Sequence, residues 1–405
     1  MLLGHLSTYV YFFAWIFLAI FSYIYNSNFI FEPLLIYFTG TALYYTYYAV
    51  MNYKLPIYFK GAFLFVFILT LYGIFLIFLG DDIYWQTTGR VVRKYLYILW
   101  LIPSLLSVIP VYVFTNRGLI GEREMKILFL IFFACGIYAY YGGLEQQIAY
   151  ATLMKTGQDE YTVTSVYLLL SILPLVSLFK KNRILQFFFL GVMFIYFILS
   201  AKRGVILLGG ASALMLVLSM FKNQTIGKKF LILLISLGLL IGLYFFVNHQ
   251  MMSSPYFALR IEKTLEGDAS GRDVYAQLIL DYYLHSTSSI QFLFGIGAQG
   301  SLSVNESFAH NDWIAILLEQ GLLGACIYFF YWIGFVIIWI KSRLNYDAFV
   351  VIGLLLMIGL GKSVFSMYYL PISPEMMASS GFYAIALGYY LAKVFPQEEV
   401  KDLNE

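Results

Sequence analysis

The sequence predicts an all-α polytopic membrane protein, and three observations carry that prediction. Of 405 residues, 61% are hydrophobic and only 12% are charged, whereas soluble domains run near half apolar and about a quarter charged. Apolar runs of roughly 17 to 25 residues recur along the chain, each long enough as a helix to cross a hydrocarbon core ~30 Å thick. One long polar interruption, residues 248–320, separates them. The runs are continuously apolar, whereas strands of a membrane barrel alternate apolar and polar residues over about ten positions, so a β-barrel is excluded.

About twelve transmembrane helices are expected from this pattern, at 6–25, 29–50, 57–79, 95–115, 127–141, 161–179, 184–200, 204–221, 230–247, 321–340, 348–368 and 376–395. Residues 1–247 thus hold nine of them, 248–320 form a large helical extracytoplasmic loop, and 321–405 hold three more with a short cytoplasmic tail. The first span lacks a basic n-region and a small-residue cleavage site, which predicts a retained helix. Cys135 and Cys326 fall inside apolar spans and read as small core residues rather than a disulfide framework.

Lysine and arginine accumulate on the cytoplasmic side of a membrane protein. An N-in/C-in arrangement collects Lys54, Lys60, Arg117, Arg123, Lys126, Lys180, Lys181, Arg183, Lys222, Lys228, Lys229, Lys341, Arg343, Lys393 and Lys401 there. The exceptions are Arg90, Arg93, Lys94, Lys155, Lys202, Arg203, Arg260, Lys263, Arg272 and Lys362, and their outer placement points to an anion on that face. Arg90, Arg93 and Lys94 have a simpler role open to them, anchoring the fourth span beside Asp81 and Asp82. Lys202 and Arg203 stand in Ser200-Ala201-Lys202-Arg203-Gly204, a tight hairpin with almost no loop. Either a packed site or lipid head groups must neutralise them, because an unpaired cation there is expensive. Lys362 lies roughly 21 Å from the cytoplasmic end of its span at 1.5 Å per residue; a counter-charge such as Glu375, or snorkelling to the outer interface, accounts for it. The stretch 142–160, with Glu145, Lys155, Asp159 and Glu160, reads as a short external loop.

Within the polar interruption, Ser270-Gly271-Arg272-Asp273 has the pattern of a capping box. The helix it opens puts Val274, Tyr275, Leu278, Ile279, Tyr282 and Tyr283 on one face and Asp273, Gln277, Asp281 and His285 on a polar stripe. Gly295-Ile296-Gly297-Ala298-Gln299-Gly300 has dinucleotide-fingerprint spacing but no βαβ unit around it, so its content is a sharp turn. His310-Asn311-Asp312-Trp313 then opens a helix running to Gly321. A histidine in a first helical turn is held neutral by the helix dipole, and neutral imidazole is the form a general base requires. Asp268, Asp273, Asp281, Glu306 and Asp312 are scattered without metal-ligand spacing, so no metal site is expected. A net charge of +3 gives no ground for a nucleic-acid partner.

Ser270-Gly271-Arg272, Leu293-Phe294-Gly295-Ile296-Gly297, Phe308-Ala309-His310-Asn311-Asp312-Trp313 and Leu318-Glu319-Gln320-Gly321-Leu322-Leu323-Gly324 together resemble the C-terminal half of the bacterial O-antigen polymerase and O-antigen ligase family. Ser200-Ala201-Lys202-Arg203 resembles that family's arginine-bearing outer hairpin. The resemblance implies a metal-independent glycosyltransferase without cofactor, of the lipid-embedded helical (GT-C-like) type. It would work in the bacterial cytoplasmic membrane, on the extracytoplasmic face, with an undecaprenyl-pyrophosphate-linked oligosaccharide as donor. By the same resemblance His310 is the base, Arg203 and Arg272 clamp the pyrophosphate, Arg260 is a third cation, and Lys202, Lys362 and Asn311 join the substrate site. A polymerase extends a lipid-linked glycan, whereas a ligase passes it to a lipid A core. The compact outer segment favours a polymerase of O-antigen, capsule or exopolysaccharide, with membrane lipid and a chain-length regulator as partners. The rival from another class is a twelve-helix secondary transporter, against which stand the lack of a repeat and the concentration of polar residues in one outer segment.

Overall fold

The computed structural model describes residues 2–24, 28–79, 83–85, 90–92, 94–153, 163–222, 224–265, 272–297, 300–305, 309–366, 368–369 and 374–397. The N-terminal part contains α1 (Leu2–Ile24), α2 (Asn28–Asn52), α3 (Ile57–Leu79), the antiparallel pair β1 (Ile83–Trp85) and β2 (Arg90–Val92), α4 (Lys94–Leu106), α5 (Val108–Asn116) and α6 (Glu122–Leu153). Next come α7 (Tyr167–Ile172) between two 3-10 turns, α8 (Arg183–Leu199), α9 (Arg203–Met220) and α10 (Ile226–Ser253). The outer segment is built from α11 (Pro255–Leu265), α12 (Arg272–His285), α13 (Ser289–Phe294) and α14 (Gly300–Asn305), followed by α15 (Asp312–Lys341), α16 (Tyr346–Phe365) and α17 (Pro374–Val394).

Over the described residues, the expected spans fall largely on helices. Among the described residues seven helices are long and apolar enough to cross a membrane: in α3, the α4–α5 pair, α6, α9, α10, α15 and α16. The other expected spans coincide with α2, α17 and three shorter apolar helices, His5–Phe21, Thr164–Phe179 and Arg183–Leu199. The break between α4 and α5 falls at Ser107, where Pro110 cannot donate to the preceding turn. Asn182 and Asn345 cap α8 and α16, their Oδ1 atoms accepting from Leu185 N at 3.1 Å and Ala348 N at 3.2 Å.

The surface states what surrounds the protein. On α10 only Ile232 is buried, while Leu231, Leu233, Leu234, Leu237 and Leu240 are exposed. Water does not tolerate so large an apolar face, and lipid does. The chain is a membrane-embedded helical protein. At its centre α17 is buried from Met377 to Ala392 and packs on α5, α1 and α7. Small residues permit that approach: a Cβ on Gly388 would lie 2.5 Å from Val108 O, and one on Gly381 2.2 Å from the Trp15 ring.

Three expectations need correction. The stretch from 142 to 153 is not loop but a continuation of α6, since Leu144-Glu145-Gln146-Gln147 are strong helix formers and polar residues do not end a helix. Cys326 is exposed rather than in the core, although Cys135 is buried. On α12 only Ile279 and Tyr283 are buried, while Val274 and Leu278 are exposed, because α14 and α15 cover just one edge of the expected apolar face. The side chains of Arg90, Lys94, Arg260, Lys263 and Glu375 lie outside the described residues, as do Asp81, Asp82, Arg93, Lys155, Asp159, Glu160, Asp268, Ser270, Gly271, Ala298, Gln299, Glu306 and Phe308.

Candidate active site

Two glycine turns set the position of the site. α15 is broken at Gly321 (φ 69°, ψ −170°), so residues 312–320 form a short helix set at an angle to the span that follows. The turn after α13, with Gly295 at φ 83° and Gly297 at φ 110°, lies directly against that break. Ile296 N donates to Leu318 O at 2.9 Å and Gly297 N to Glu319 O at 3.1 Å. A Cβ on Gly295 would fall 2.3 Å from Glu319 O, and one on Gly321 2.4 Å from Leu293 O. Only glycine offers both the conformation and the space. Glu319 is buried beneath this crossing, accepting from Ser301 Oγ at 3.1 Å and Tyr369 Oη at 3.5 Å. The spacing that mimics a dinucleotide fingerprint is therefore a backbone crossing, and it aims the short helix.

His310 stands at the head of that helix, one residue before the N-cap, and not in the first turn as expected. Asn311 is the cap; its Oδ1 accepts from Trp313 N at 2.9 Å and Ile314 N at 3.3 Å. His310 has φ +50°, and Ala201, beside the hairpin cations, has φ +51°; these are the non-glycine residues with positive φ among those described. Such strain of about 1–3 kcal/mol per residue persists where the surroundings over-determine it, commonly at functional sites. His310 is held neutral, as the dipole argument expected, but for a different leading reason. Burial first, then the charges of Arg272 and Lys202, hold its imidazole at about 4, below the ordinary 6.5.

The cations around His310 come from two directions. Arg272 is the first residue of α12, and its Nη1 donates to Phe365 O at the end of α16. Lys202 caps α9 and Arg203 opens it; both are half-buried. The hairpin before them is pinned by Ser200, whose Oγ accepts from Lys202 N at 3.2 Å and whose carbonyl accepts from Val163 N at 3.3 Å. It abuts the same helix end that Arg272 grips, since a Cβ on Gly204 would lie 3.6 Å from Phe365 Cβ and 3.4 Å from Tyr167 Oη. α11, which carries Arg260, packs on α9, with Phe257 buried against Ile198 and Ala201.

Under these groups lies a buried polar floor. Asp312 is fully buried, and its Oδ2 accepts from Tyr328 Oη at 2.9 Å, Tyr368 N at 2.8 Å and Tyr369 N at 3.1 Å. Its Oδ1 has no hydrogen-bond partner among the described residues. Lys362 does not snorkel. It is 3% exposed, donates to Ser379 Oγ at 3.1 Å, lies 5.4 Å from the Tyr167 ring centroid, and faces the charge of Asp312. One residue on, Ser363 Oγ accepts from the Trp313 indole at 3.1 Å, fastening the His310 helix to α16.

The chain matches no protein-family model and no curated protein. The geometry therefore stands alone. It brings His310, Arg272 and Lys202 together, sets Arg203 beside them on the hairpin, gives Asn311 a capping role, and places Lys362 in the floor rather than at the surface. Sequence reasoning missed the floor's other members, Asp312, Tyr167 and Ser379. Of these only Asp312 carried a signal, as an acid two residues from His310 in an apolar helix start.

Proposed function

We propose that the protein is a polysaccharide polymerase, transferring glycan from an undecaprenyl-pyrophosphate donor to a lipid-linked repeat-unit acceptor. It would lie in the bacterial cytoplasmic membrane with about twelve spans, both termini in the cytoplasm, and the His310 site on the outer face. The observation that carries this reading is the pairing of a neutral, half-buried imidazole with cations from two separate elements, Arg272 on α12 and Lys202 beside Arg203 on the α8–α9 hairpin.

His310 accepts the proton of the acceptor hydroxyl, whose oxygen attacks the anomeric carbon of the donor sugar. The bond from that carbon to the pyrophosphate oxygen breaks, and the leaving pyrophosphate gains charge. Guanidinium groups bind such oxygens bidentately and stabilise the developing charge. Donor binding also acts on the base: pyrophosphate cancels the fields of Arg272 and Lys202, so His310 becomes more basic once the donor is seated. Exposed Val274 and Leu278 on α12 offer the polyprenyl chain an apolar edge beside Arg272.

Purified protein in vesicles with lipid-pyrophosphate-linked repeat units tests the reading. A ladder of lengthened, lipid-linked glycans with release of undecaprenyl pyrophosphate is expected. Transfer to a lipid A core without lengthening would make it a ligase, and passage of substrate across the bilayer without transfer would make it a transporter.

A further inference from the structure

The helices that carry the His310 site form a second cleft at their opposite ends. α9 starts at Arg203 and ends at Met220, while α16 starts at Tyr346 and ends at Phe365. The end of α9 and the start of α16 therefore lie about 27 Å from the hairpin, at 1.5 Å per residue over α9. There Lys180, Arg183, Gln186, Lys222, Tyr346 and Asp347 line a cleft open to solvent.

Its charges are arranged, not scattered. Gln186 is 1% exposed, and its Nε2 donates to Val176 O at 3.0 Å, which turns Oε1 to accept from Arg183 Nη1 at 2.6 Å. A buried and fully engaged amide thus aims the guanidinium. Lys222 Nζ lies 3.3 Å from the Tyr346 ring centroid, and Lys180 pairs with Asp347. Three cations meet one carboxylate, so the cleft keeps a surplus of positive charge. Ile184 and Leu218, next in sequence to the lining residues Arg183 and Ser219, are exposed apolar side chains.

We propose that this cleft binds a phosphate-bearing anion, the headgroup of an anionic lipid in the leaflet opposite the His310 site. A basic pocket between membrane helices suits such a headgroup, the planar guanidinium suits phosphate oxygens, and the neighbouring apolar side chains suit acyl chains better than a free ion needs. A bound headgroup would tie α8, α9 and α16 together at the end remote from the hairpin.

Native mass spectrometry of the detergent-purified full chain tests this with three probes: phosphatidylglycerol, phosphatidylcholine and inorganic phosphate. Wild type is expected to retain phosphatidylglycerol over phosphatidylcholine. Arg183→Gln with Lys222→Gln should weaken that retention by about tenfold or more, as loss of two basic residues facing anionic headgroups does, while Arg183→Lys keeps most of it. Asp347→Asn, which removes the competing carboxylate and releases Lys180, should tighten it, a change that misfolding cannot imitate. Equal retention of phosphatidylglycerol by wild type and the double variant would overturn the proposal, as would equal retention of the two lipids. Retention of inorganic phosphate but not of phosphatidylglycerol would assign the cleft to a free anion and overturn the lipid.

Discussion

Arg272, at the start of α12, donates its guanidinium to the carbonyl of Phe365 at the end of α16. This contact ties the outer segment to the membrane bundle, and it sets a positive charge where it acts on His310. One residue thus has two measurable effects.

The first concerns acidity. Arg272 and Lys202 both lower the proton affinity of His310, Arg272 the more strongly. Arg272→Ala should therefore move the acid limb of the pH–activity profile to higher pH, and Lys202→Ala should move it less. In wild type the limb should lie at higher pH for kcat than for kcat/KM, because bound pyrophosphate neutralises the same cations. Profiles of residual activity with lipid-linked donor check both orders.

Stability reports the same group without substrate. The folded protein holds His310 at about 4 against 6.5 for the free side chain, so between those values the unfolded chain binds more protons. Stability from this source is whole above about 6.5 and falls as pH drops towards about 4. His310→Gln should flatten the thermal midpoint of the detergent-solubilised protein across that window, and an unchanged slope would remove His310 as its source.

The buried floor predicts a coupled pair. Asp312→Ala leaves Tyr328 Oη and the backbone donors of Tyr368 and Tyr369 without their acceptor, and Lys362 without its facing charge. Leaving a buried hydrogen-bond donor without its partner costs about 1–3 kcal/mol. With Lys362→Met added, the loss should be smaller than the sum of the single losses. Thermal unfolding of the two singles and the double gives the cycle, and strict additivity would separate the two residues.

The glycine crossing predicts intolerance at two positions. Gly295→Ala and Gly321→Ala each place an L residue at positive φ with a Cβ under 2.5 Å from backbone atoms, at a loss of about 1–3 kcal/mol from conformation alone with the clash added. Gly238→Ala on α10, where a Cβ meets nothing within 4 Å, should instead be neutral or stabilising by up to about 1 kcal/mol. Midpoints that do not separate these variants would contradict the crossing.

The helices were legible because membrane spans are continuously apolar, and this signal needs no partner. Where a helix carries polar residues the signal fails: α6 continues past Gly142 through Glu145, and α12 buries only the Ile279–Tyr283 edge of a wider apolar face. His310 and the cations were legible as residues whose charge or position demanded an explanation. Their supports were not. Lys362 meets Tyr167 and Ser379 across long sequence separations, and Gly295 explains itself only when set against Gly321. Even the neutrality of His310 was expected from a dipole and arises first from burial, which depends on neighbours no local pattern names.

Chain elongation by His310→Ala tests the central claim most directly, read as polymer length from purified lipid-linked repeat units with wild-type amounts of protein in the membrane. Loss of elongation with the membrane level unchanged is the predicted result. Polymer of normal length from that variant would contradict the role of His310 as the base.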